Sequence, residues 1–222
     1  YHGQSHGSVS FARSFAKSCN ASFANMGVHL DKTQFANTLE ELLFNQDLPL
    51  EIIHNNSHVE VNQNSSDGDM MQVAIGQGTT GMTPMHLNMI TNAVANQGTV
   101  MQPYIIEYVE NSTGSIIKQF SPTSYKKLIS EQEAESLKEL MRGVVEEGTA
   151  SKLKGLSYTA AGKTGSAEYN SVKEDSHAWF TGFAPADNPQ ISVTIIIEGA
   201  GSGGDFAVPI ARRIFDTYFE NK

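Results

Sequence analysis

The pattern of apolar and polar positions predicts several amphipathic helices followed by a sheet. Apolar side chains recur at three- and four-residue intervals within residues 1–30, which is the period of a helix with one buried face. The later helices are predicted to start at residue types favoured at helix N-termini: Asp31 with Gln34, Thr83 with Pro84, Ser130 with Glu133, and Asp205. Gly98 and Gly148 are predicted to end two of them.

The segments between these helices are more polar. Residues 45–68 are rich in Asn and Ser, which predicts a long loop with one short strand near 59–61. Residues 104–109 and 116–120 carry β-branched and aromatic side chains, and we expect two strands there, joined by a turn at 111–114.

The last part of the chain predicts a sheet. Strand-forming residues dominate 158–168, 178–184 and 191–197. The connections between these segments are too short for helical crossovers, so the strands should be antiparallel neighbours. We expect the helix from Asp205 to pack on them. The predicted fold class is therefore α+β, with an antiparallel sheet flanked by helices.

Composition and charge narrow the possible partners and cofactors. The 222 residues are 39% hydrophobic and 18% charged, as in a globular domain with a sizeable core. Fifteen basic against 24 acidic residues give a net charge of −9, which disfavours nucleic acid as a partner because phosphate binding needs a basic face. A lone cysteine, Cys19, excludes an intrachain disulfide and a cysteine-based zinc site. We expect no cofactor and no metal.

Two patterns resemble ligand sites but favour simpler interpretations. Residues 199–204 match Gly-x-Gly-x-x-Gly between a strand and a helix. Too few residues follow for a dinucleotide-binding βαβ unit, so a flexible turn is expected. His54 and His58 have metal-ligand spacing, but their neighbours are Asn and Ser. We expect a solvated loop there.

Three further sets of residues also have competing interpretations. Asp175-Ser176-His177 holds the residue types of a catalytic triad, but adjacent strand residues point to opposite faces, so structural or surface roles are expected. Cys19 has no basic partner nearby in the sequence and is interpreted as a small buried filler. Trp179 and Phe180 are expected to pack in the sheet rather than to bind substrate.

The most informative segment is Lys163-Thr164-Gly165. Lysine offers a positive charge, threonine a hydroxyl that can bond a carboxylate, and glycine close access to the main chain. On a strand, these groups suit an enzyme that holds a peptide acid against the strand edge. Far upstream, Ser18-Cys19-Asn20 can direct a hydroxyl and a carboxamide to one side of a tight turn.

Together these segments resemble the penicillin-binding proteins, and the resemblance covers almost the whole chain. Lys-Thr-Gly and Ser-x-Asn are two of the three elements of these serine acyl-transferases. Several further segments of the chain are similar to segments of the class B transpeptidases in this family. In chain order they are Ala74-Ile75-Gly76-Gln77-Gly78, Thr83-Pro84, Ala95-Asn96-Gln97-Gly98, Gln102-Pro103-Tyr104, Gly148-Thr149-Ala150, and the run from His177 through Trp179 to Pro185.

The resemblance implies a role for each site residue. Ser18 would relay a proton during acylation, Asn20 would hold the amide side of a peptidoglycan stem peptide, and Lys163 would tune Ser18. Thr164, next to Gly165, would bind the terminal carboxylate of D-Ala-D-Ala or of a β-lactam. The backbone N–H of Ser166 would be one oxyanion-hole donor.

The third element of the family, Ser-x-x-Lys with the nucleophilic serine, is not found at an acceptable place. Ser14-x-x-Lys17 abuts Ser18, whereas the family separates the two motifs, and Ser124-x-x-Lys127 follows Ser18 and lies in a predicted polar loop. We therefore expect residues 1–222 to be the C-terminal portion of one transpeptidase domain, inactive alone. The nucleophile and a membrane anchor would lie upstream. The resemblance also implies the extracytoplasmic side of the bacterial plasma membrane.

Other functions on the same fold remain open at this point. A D,D-carboxypeptidase or a class D β-lactamase would pass the acyl group to water, although Gly76-Gln77-Gly78 and Gly148-Thr149-Ala150 favour a transpeptidase. A β-lactam sensor domain or an inactive scaffold would share the sequence features without the cross-linking reaction.

Overall fold

The computed structural model describes residues 6–169 and 176–221. Its helices are α1 (Phe11–Ala16), α2 (Asn20–Gly27), α3 (Lys32–Glu41), α4 (Asp67–Ala74), α5 (Pro84–Ala95), α6 (Glu131–Glu146) and α7 (Gly203–Glu220), with a 3-10 turn at Ser151–Leu153. Its strands are β1 (Thr99–Met101), β2 (Tyr108–Glu110), β3 (Ile116–Gln119), β4 (Ser124–Lys127), β5 (Ala161–Glu168), β6 (Ser176–Ala184) and β7 (Ile191–Ile197). None of the described helices is long and apolar enough to cross a membrane.

The main sheet confirms the predicted antiparallel arrangement. Its strand order is β5-β6-β7, and both pairs are antiparallel. Lys163 lies opposite Thr181, which in turn lies opposite Thr194. Because directly paired residues share a face of the sheet, these three side chains form one row. The α+β prediction is therefore confirmed, although β5 begins at Ala161 rather than at Tyr158.

The C-terminal helix α7 packs on the opposite face of this sheet. Phe180 of β6 and Phe215 of α7 are both fully buried in the largest apolar cluster. The helix begins at Gly203, two residues before the predicted Asp205. A Cβ on Gly203 would lie 2.2 Å from the Trp179 carbonyl oxygen, so the glycine lets the helix start directly against the sheet.

Helices α5 and α6 also pack against the sheet, and each begins at a capping residue. Thr83 caps α5, as predicted, by accepting a hydrogen bond from the His86 N–H. Ser130 and Glu133 form the predicted capping box of α6. Thr91 of α5 contacts Thr181 of β6 at 2.6 Å between hydroxyl oxygens, so α5 lies on the Lys163 face of the sheet. α6 covers β5 through Met141 and its neighbours.

The region 45–68 corrects one prediction. Helix α4 begins at its end, at Asp67, after a capping box formed by Ser66 and Asp69. This helix packs on α2 so closely that a Cβ on Gly27 would lie 2.5 Å from the Ala74 Cβ. The helix is only eight residues long and follows a polar run, so the sequence carried little periodicity. The short strand expected at 59–61 was also wrong, because the pairing there is a single bridge between His58 and Gly81.

The middle of the chain forms two small sheets rather than one hairpin. β2 pairs with β3, but the first strand begins at Tyr108 instead of residue 104. β1 pairs with β4, which was not predicted. Ser124 is therefore a strand residue and not part of a polar loop.

Candidate active site

The turn between α1 and α2 presents Ser18 towards β5. Ser18 has a backbone φ of 53°, in the left-handed region that non-glycine residues seldom adopt. The Ser18 N–H donates to the Phe15 carbonyl at 3.1 Å, and the Cys19 N–H donates to the Ser14 carbonyl at 2.9 Å. These bonds close a tight turn in which the Ser18 hydroxyl lies apart from both helices.

Lys163 of β5 reaches this turn from the sheet. Its Nζ donates to the Ser18 Oγ at 2.8 Å and to the Thr164 carbonyl oxygen at 2.8 Å. The Phe15 ring centroid lies 5.9 Å from the same Nζ. The structure therefore brings together two residues that are 145 positions apart in the sequence.

The environment of Lys163 favours its neutral form. Burial lowers the pKa of the Lys163 ammonium from 10.5 to about 8, because the charged form loses its hydration. A group with this pKa is about one-tenth neutral at pH 7 and about half neutral at pH 8, whereas an ordinary lysine is almost fully charged at both. It can therefore exchange a proton with the Ser18 hydroxyl, to which it is already hydrogen-bonded.

The remaining predicted site residues of β5 follow in order along the strand. Thr164 is 8% exposed, and its Oγ1 lies 2.5 Å from the Thr149 Oγ1. Gly165 lies opposite Trp179. The Ser166 Oγ accepts a hydrogen bond at 3.3 Å from the N–H of Gly203, the first residue of α7. This last contact places the N-terminus of α7 beside the strand.

The outer edge of β5 is open among the described residues. β5 ends the sheet and pairs only with β6. An unpaired edge can accept an extended peptide through main-chain hydrogen bonds. Asn20 is exposed at the start of α2, two residues after Ser18. The turn and β5 meet at the bond between Lys163 and Ser18, and the surface beside that bond, along the unpaired edge of β5, is called the cleft below.

Comparisons with known proteins agree with this geometry. A family model described as "Penicillin binding protein transpeptidase domain" matches residues 1–216. The chain belongs to this family. It is 33% identical over 174 residues to the Peptidoglycan D,D-transpeptidase MrdA of Haemophilus influenzae, covering 70% of this chain and 26% of that protein.

Solved structures of penicillin-binding proteins share the fold. A D,D-transpeptidase domain from Eggerthella lenta superposes with a TM-score of 0.84 at 26% identity, covering 98% of this chain and 54% of that one. Penicillin-binding protein A of Mycobacterium tuberculosis, solved as an imipenem acyl-enzyme complex, gives a TM-score of 0.84 at 26% identity, with 95% and 47% covered. The chain therefore spans between 26% and 54% of these relatives.

The structure does not arrange either Ser-x-x-Lys of this chain as a nucleophile and its base. The buried Ser14 hydroxyl donates to the Ser22 Oγ at 3.0 Å. The Lys17 Nζ donates instead to the Glu147 carbonyl oxygen. Ser124 lies in β4, which pairs with β1 and not with the main sheet.

Cys19 is buried, as expected for a small filler, but it does have a basic neighbour. The side chain of Ser22, and after it that of His6, lowers the pKa of the Cys19 thiol to about 7. The interpretation of Cys19 considered only its neighbours in the sequence and did not anticipate this contact. His6 lies 13 positions upstream of Cys19, outside the local pattern from which that interpretation was made.

For the other candidate patterns, the structure gives the contacts of individual residues within 6–169 and 176–221. No cluster of metal-binding side chains is present in that part of the chain, and the His54 Nδ1 contacts the Ile52 carbonyl oxygen at 2.8 Å. Asp175 lies outside the described residues. His177 stacks on Tyr169 with ring centroids 4.3 Å apart and accepts a hydrogen bond from the Gly199 N–H. Phe180 is fully buried in the sheet core.

Thr149 is the site contact that sequence reasoning missed. Gly148-Thr149-Ala150 was noted for its resemblance to a family motif, but no role followed from it. The contact with Thr164 depends on how the loop after α6 meets β5, which is a tertiary feature. The motif itself was the only available signal.

Proposed function

We propose that the intact protein is a peptidoglycan D,D-transpeptidase that forms a serine acyl-enzyme and is acylated by β-lactams. The observation that carries this proposal is the hydrogen bond between the Lys163 Nζ and the Ser18 Oγ at the open edge of β5. It joins a lysine of lowered pKa to a hydroxyl beside the unpaired edge of β5. The name of the Haemophilus relative and the acyl-enzyme structure of the mycobacterial relative support the proposal.

In this proposal a stem peptide lies along the open edge of β5. Thr164 binds the terminal carboxylate of D-Ala-D-Ala, and Gly165 allows the peptide to approach the main chain. Asn20 holds a substrate amide from the other side. These contacts fix the scissile carbonyl, and fixed geometry is itself a large part of catalysis.

The chemistry then proceeds by two acyl transfers. The hydroxyl of a nucleophilic serine attacks the carbonyl, and its proton passes through Ser18 to the departing amine of the terminal D-Ala. Lys163 sets the proton affinity of Ser18, and the Ser166 N–H stabilises the oxyanion. An amine of a neighbouring peptidoglycan strand then attacks the acyl-enzyme. This attack forms the cross-link and returns the proton to the serine.

We place the nucleophile outside residues 1–222. The contacts of Ser14 and Lys17 support this assignment, because each side chain is engaged with a different partner. We further propose that residues 1–222 are the C-terminal portion of one transpeptidase domain. The intact protein would be membrane-anchored and act on the extracytoplasmic side of the bacterial plasma membrane, in the cell envelope.

Labelling with a fluorescent penicillin tests the proposal. The intact protein should form a stable covalent adduct, and peptide mass spectrometry should locate that adduct on a serine outside residues 1–222. The isolated 222-residue chain should remain unlabelled. An adduct on Ser14 or Ser18 would contradict the assignment.

The fate of the acyl group separates the transpeptidase from the alternative functions. Rapid release of hydrolysed penicillin would favour a β-lactamase, and transfer of a stem-peptide donor to water alone would favour a carboxypeptidase. A stable adduct without any transfer to an amine acceptor would favour a sensor or an inactive scaffold.

A further inference from the structure

The loop after α6 places a second hydroxyl against Thr164. The Oγ1 atoms of Thr149 and Thr164 are 2.5 Å apart, which is a short distance for a hydrogen bond between hydroxyls. Thr149 is exposed, whereas Thr164 is 8% exposed. The pair therefore reaches from the sheet to the solvent-facing side of the cleft.

Two helices, α1 and α7, fix the position of Thr149. Its N–H donates at 3.2 Å to the carbonyl oxygen of Ala16, the last residue of α1. A Cβ on Gly148 would lie 2.2 Å from that same oxygen, and a Cβ on Gly204 of α7 would lie 2.7 Å from the Thr149 carbonyl oxygen. Such close backbone approaches leave the loop little freedom, so the position of its hydroxyl is built into the fold.

The number of protons in this hydroxyl pair limits what it can do. Each threonine hydroxyl has one proton to donate and can also accept. If Thr164 donates to Thr149, Thr164 has no proton left for a ligand. If Thr149 donates to Thr164, the Thr164 proton is free to point into the cleft. A carboxylate accepts hydrogen bonds only, so it favours the second arrangement, in which each bond of the chain strengthens the next.

We propose that Thr149 is a positioning residue for carboxylate recognition, holding the Thr164 hydroxyl with its proton directed at the substrate. This inference rests on the proposed function, because it assigns the means by which the same site recognises an anionic stem peptide or β-lactam. Thr149 acts through Thr164 and does not itself touch the reacting atoms.

Replacement of the hydroxyl tests the inference in the intact protein. The variants are Thr149→Val, which keeps the shape but removes the hydroxyl, and Thr149→Ser, which keeps the hydroxyl. Thr217→Val is the matched control, since that exposed threonine of α7 donates only to the Arg213 carbonyl within its own helix turn. The readout is the second-order rate constant of acylation by penicillin and by its methyl ester, which lacks the charged carboxylate.

The expected pattern is selective for the charged ligand. Thr149→Val should slow acylation by penicillin about 10- to 100-fold, the size expected for a lost hydrogen bond to a charged group, and should change acylation by the ester less than about threefold. Thr149→Ser should restore most of the penicillin rate, and Thr217→Val should match the unaltered protein. Equal slowing with both ligands, or no slowing with penicillin, would overturn the inference.

A second measurement keeps the inference separate from the proposed function. If the unaltered protein is not acylated at all, the proposed function fails. Crystal structures of the unaltered protein and of Thr149→Val then decide the inference alone. We expect the Thr164 side chain to rotate or to occupy two rotamers in the variant. An unchanged single rotamer would show that Thr149 does not position Thr164.

Discussion

The two walls of the cleft are built in different ways. β5 belongs to a sheet whose core residues Phe180 and Phe215 are fully buried, and long helices cover it. The opposite wall is the turn between α1 and α2, which are only six and eight residues long. The first aromatic residue of α1, Phe11, is 53% exposed. Burial therefore fixes the β5 wall to a far greater extent than it fixes the turn.

Polar contacts hold the turn in place instead. Lys163 bonds Ser18, Thr149 bonds the Ala16 carbonyl, and Lys17 bonds the Glu147 carbonyl. The left-handed backbone of Ser18 costs about 1 kcal/mol or more for a residue other than glycine, and the surrounding contacts must offset this cost. The sheet therefore supplies a rigid reference, and a few directional bonds position the turn that contains Ser18 against it.

The largest effect should come from removing the bond that joins the walls. Lys163→Met in the intact protein should slow acylation by penicillin about 10²- to 10⁴-fold, because a positioned proton-transfer group contributes on that scale. Lys17→Met is the comparison variant, because it loses another bond that holds the turn, the one to the Glu147 carbonyl, but keeps the bond between Lys163 and Ser18. We expect its rate to stay within about tenfold of the unaltered protein. Acylation is measured by fluorescent penicillin labelling over time. Equal loss in both variants would show that the loss comes from disturbing the turn in general and not from removing the bond between Lys163 and Ser18.

The next largest effect should come from the close backbone contact between α7 and the sheet. Gly203→Ala would place a Cβ 2.2 Å from the Trp179 carbonyl oxygen and 2.5 Å from the Gly165 carbonyl oxygen, so α7 must shift away from β5. We expect a loss of about 3 kcal/mol in the free energy of unfolding, as for an overpacked core site. Gly143→Ala is the control, because a Cβ there meets nothing within 4 Å inside α6.

The control should change stability in the opposite direction. Alanine in place of glycine within a helix stabilises by about 0.5–1 kcal/mol. Chemical denaturation of the intact variants measures both effects. If Gly203→Ala is as stable as the unaltered protein, the packing of α7 against β5 is looser than the structure indicates.

The contrast between the walls also explains how much of the molecule was predictable from sequence. The strands of the main sheet and the helices capped by Thr83 and Ser130 followed from residue pattern, because strong local signals agree there with the final packing. Helix α4 was missed because it is short and follows a polar run, so its stability depends on packing against α2.

Site contacts depend on tertiary structure to a greater degree. That Ser18 and Lys163 act together was expected only from the family resemblance, since no local pattern connects residues so far apart. The contacts between Thr149 and Thr164, and between His6 and Cys19, arise where separate elements meet. The periodicity of the sequence carries no information about contacts between distant segments, so these contacts could not be predicted.

The smallest effect should appear as a pH dependence of stability that originates at Lys163. The pKa of Lys163 is about 8 in the folded protein, against 10.5 for an ordinary lysine. Between these pH values the unfolded chain keeps the proton while the folded chain releases it. The unfolded state then binds more protons, so the free energy of unfolding rises with pH across this range. Below pH 8 both states are protonated, and the full cost of burying the charge remains.

Lys163→Met isolates this contribution from other groups that titrate in the same range. The free energy of unfolding of the unaltered protein, minus that of the variant, should rise by about 2 kcal/mol between pH 7 and pH 10. Denaturation of both proteins at several pH values gives this difference directly. A difference that stays flat would mean that Lys163 remains fully charged in the folded protein. The turn would then be held by an ammonium that cannot accept the Ser18 proton, and Lys163 would act only through its charge.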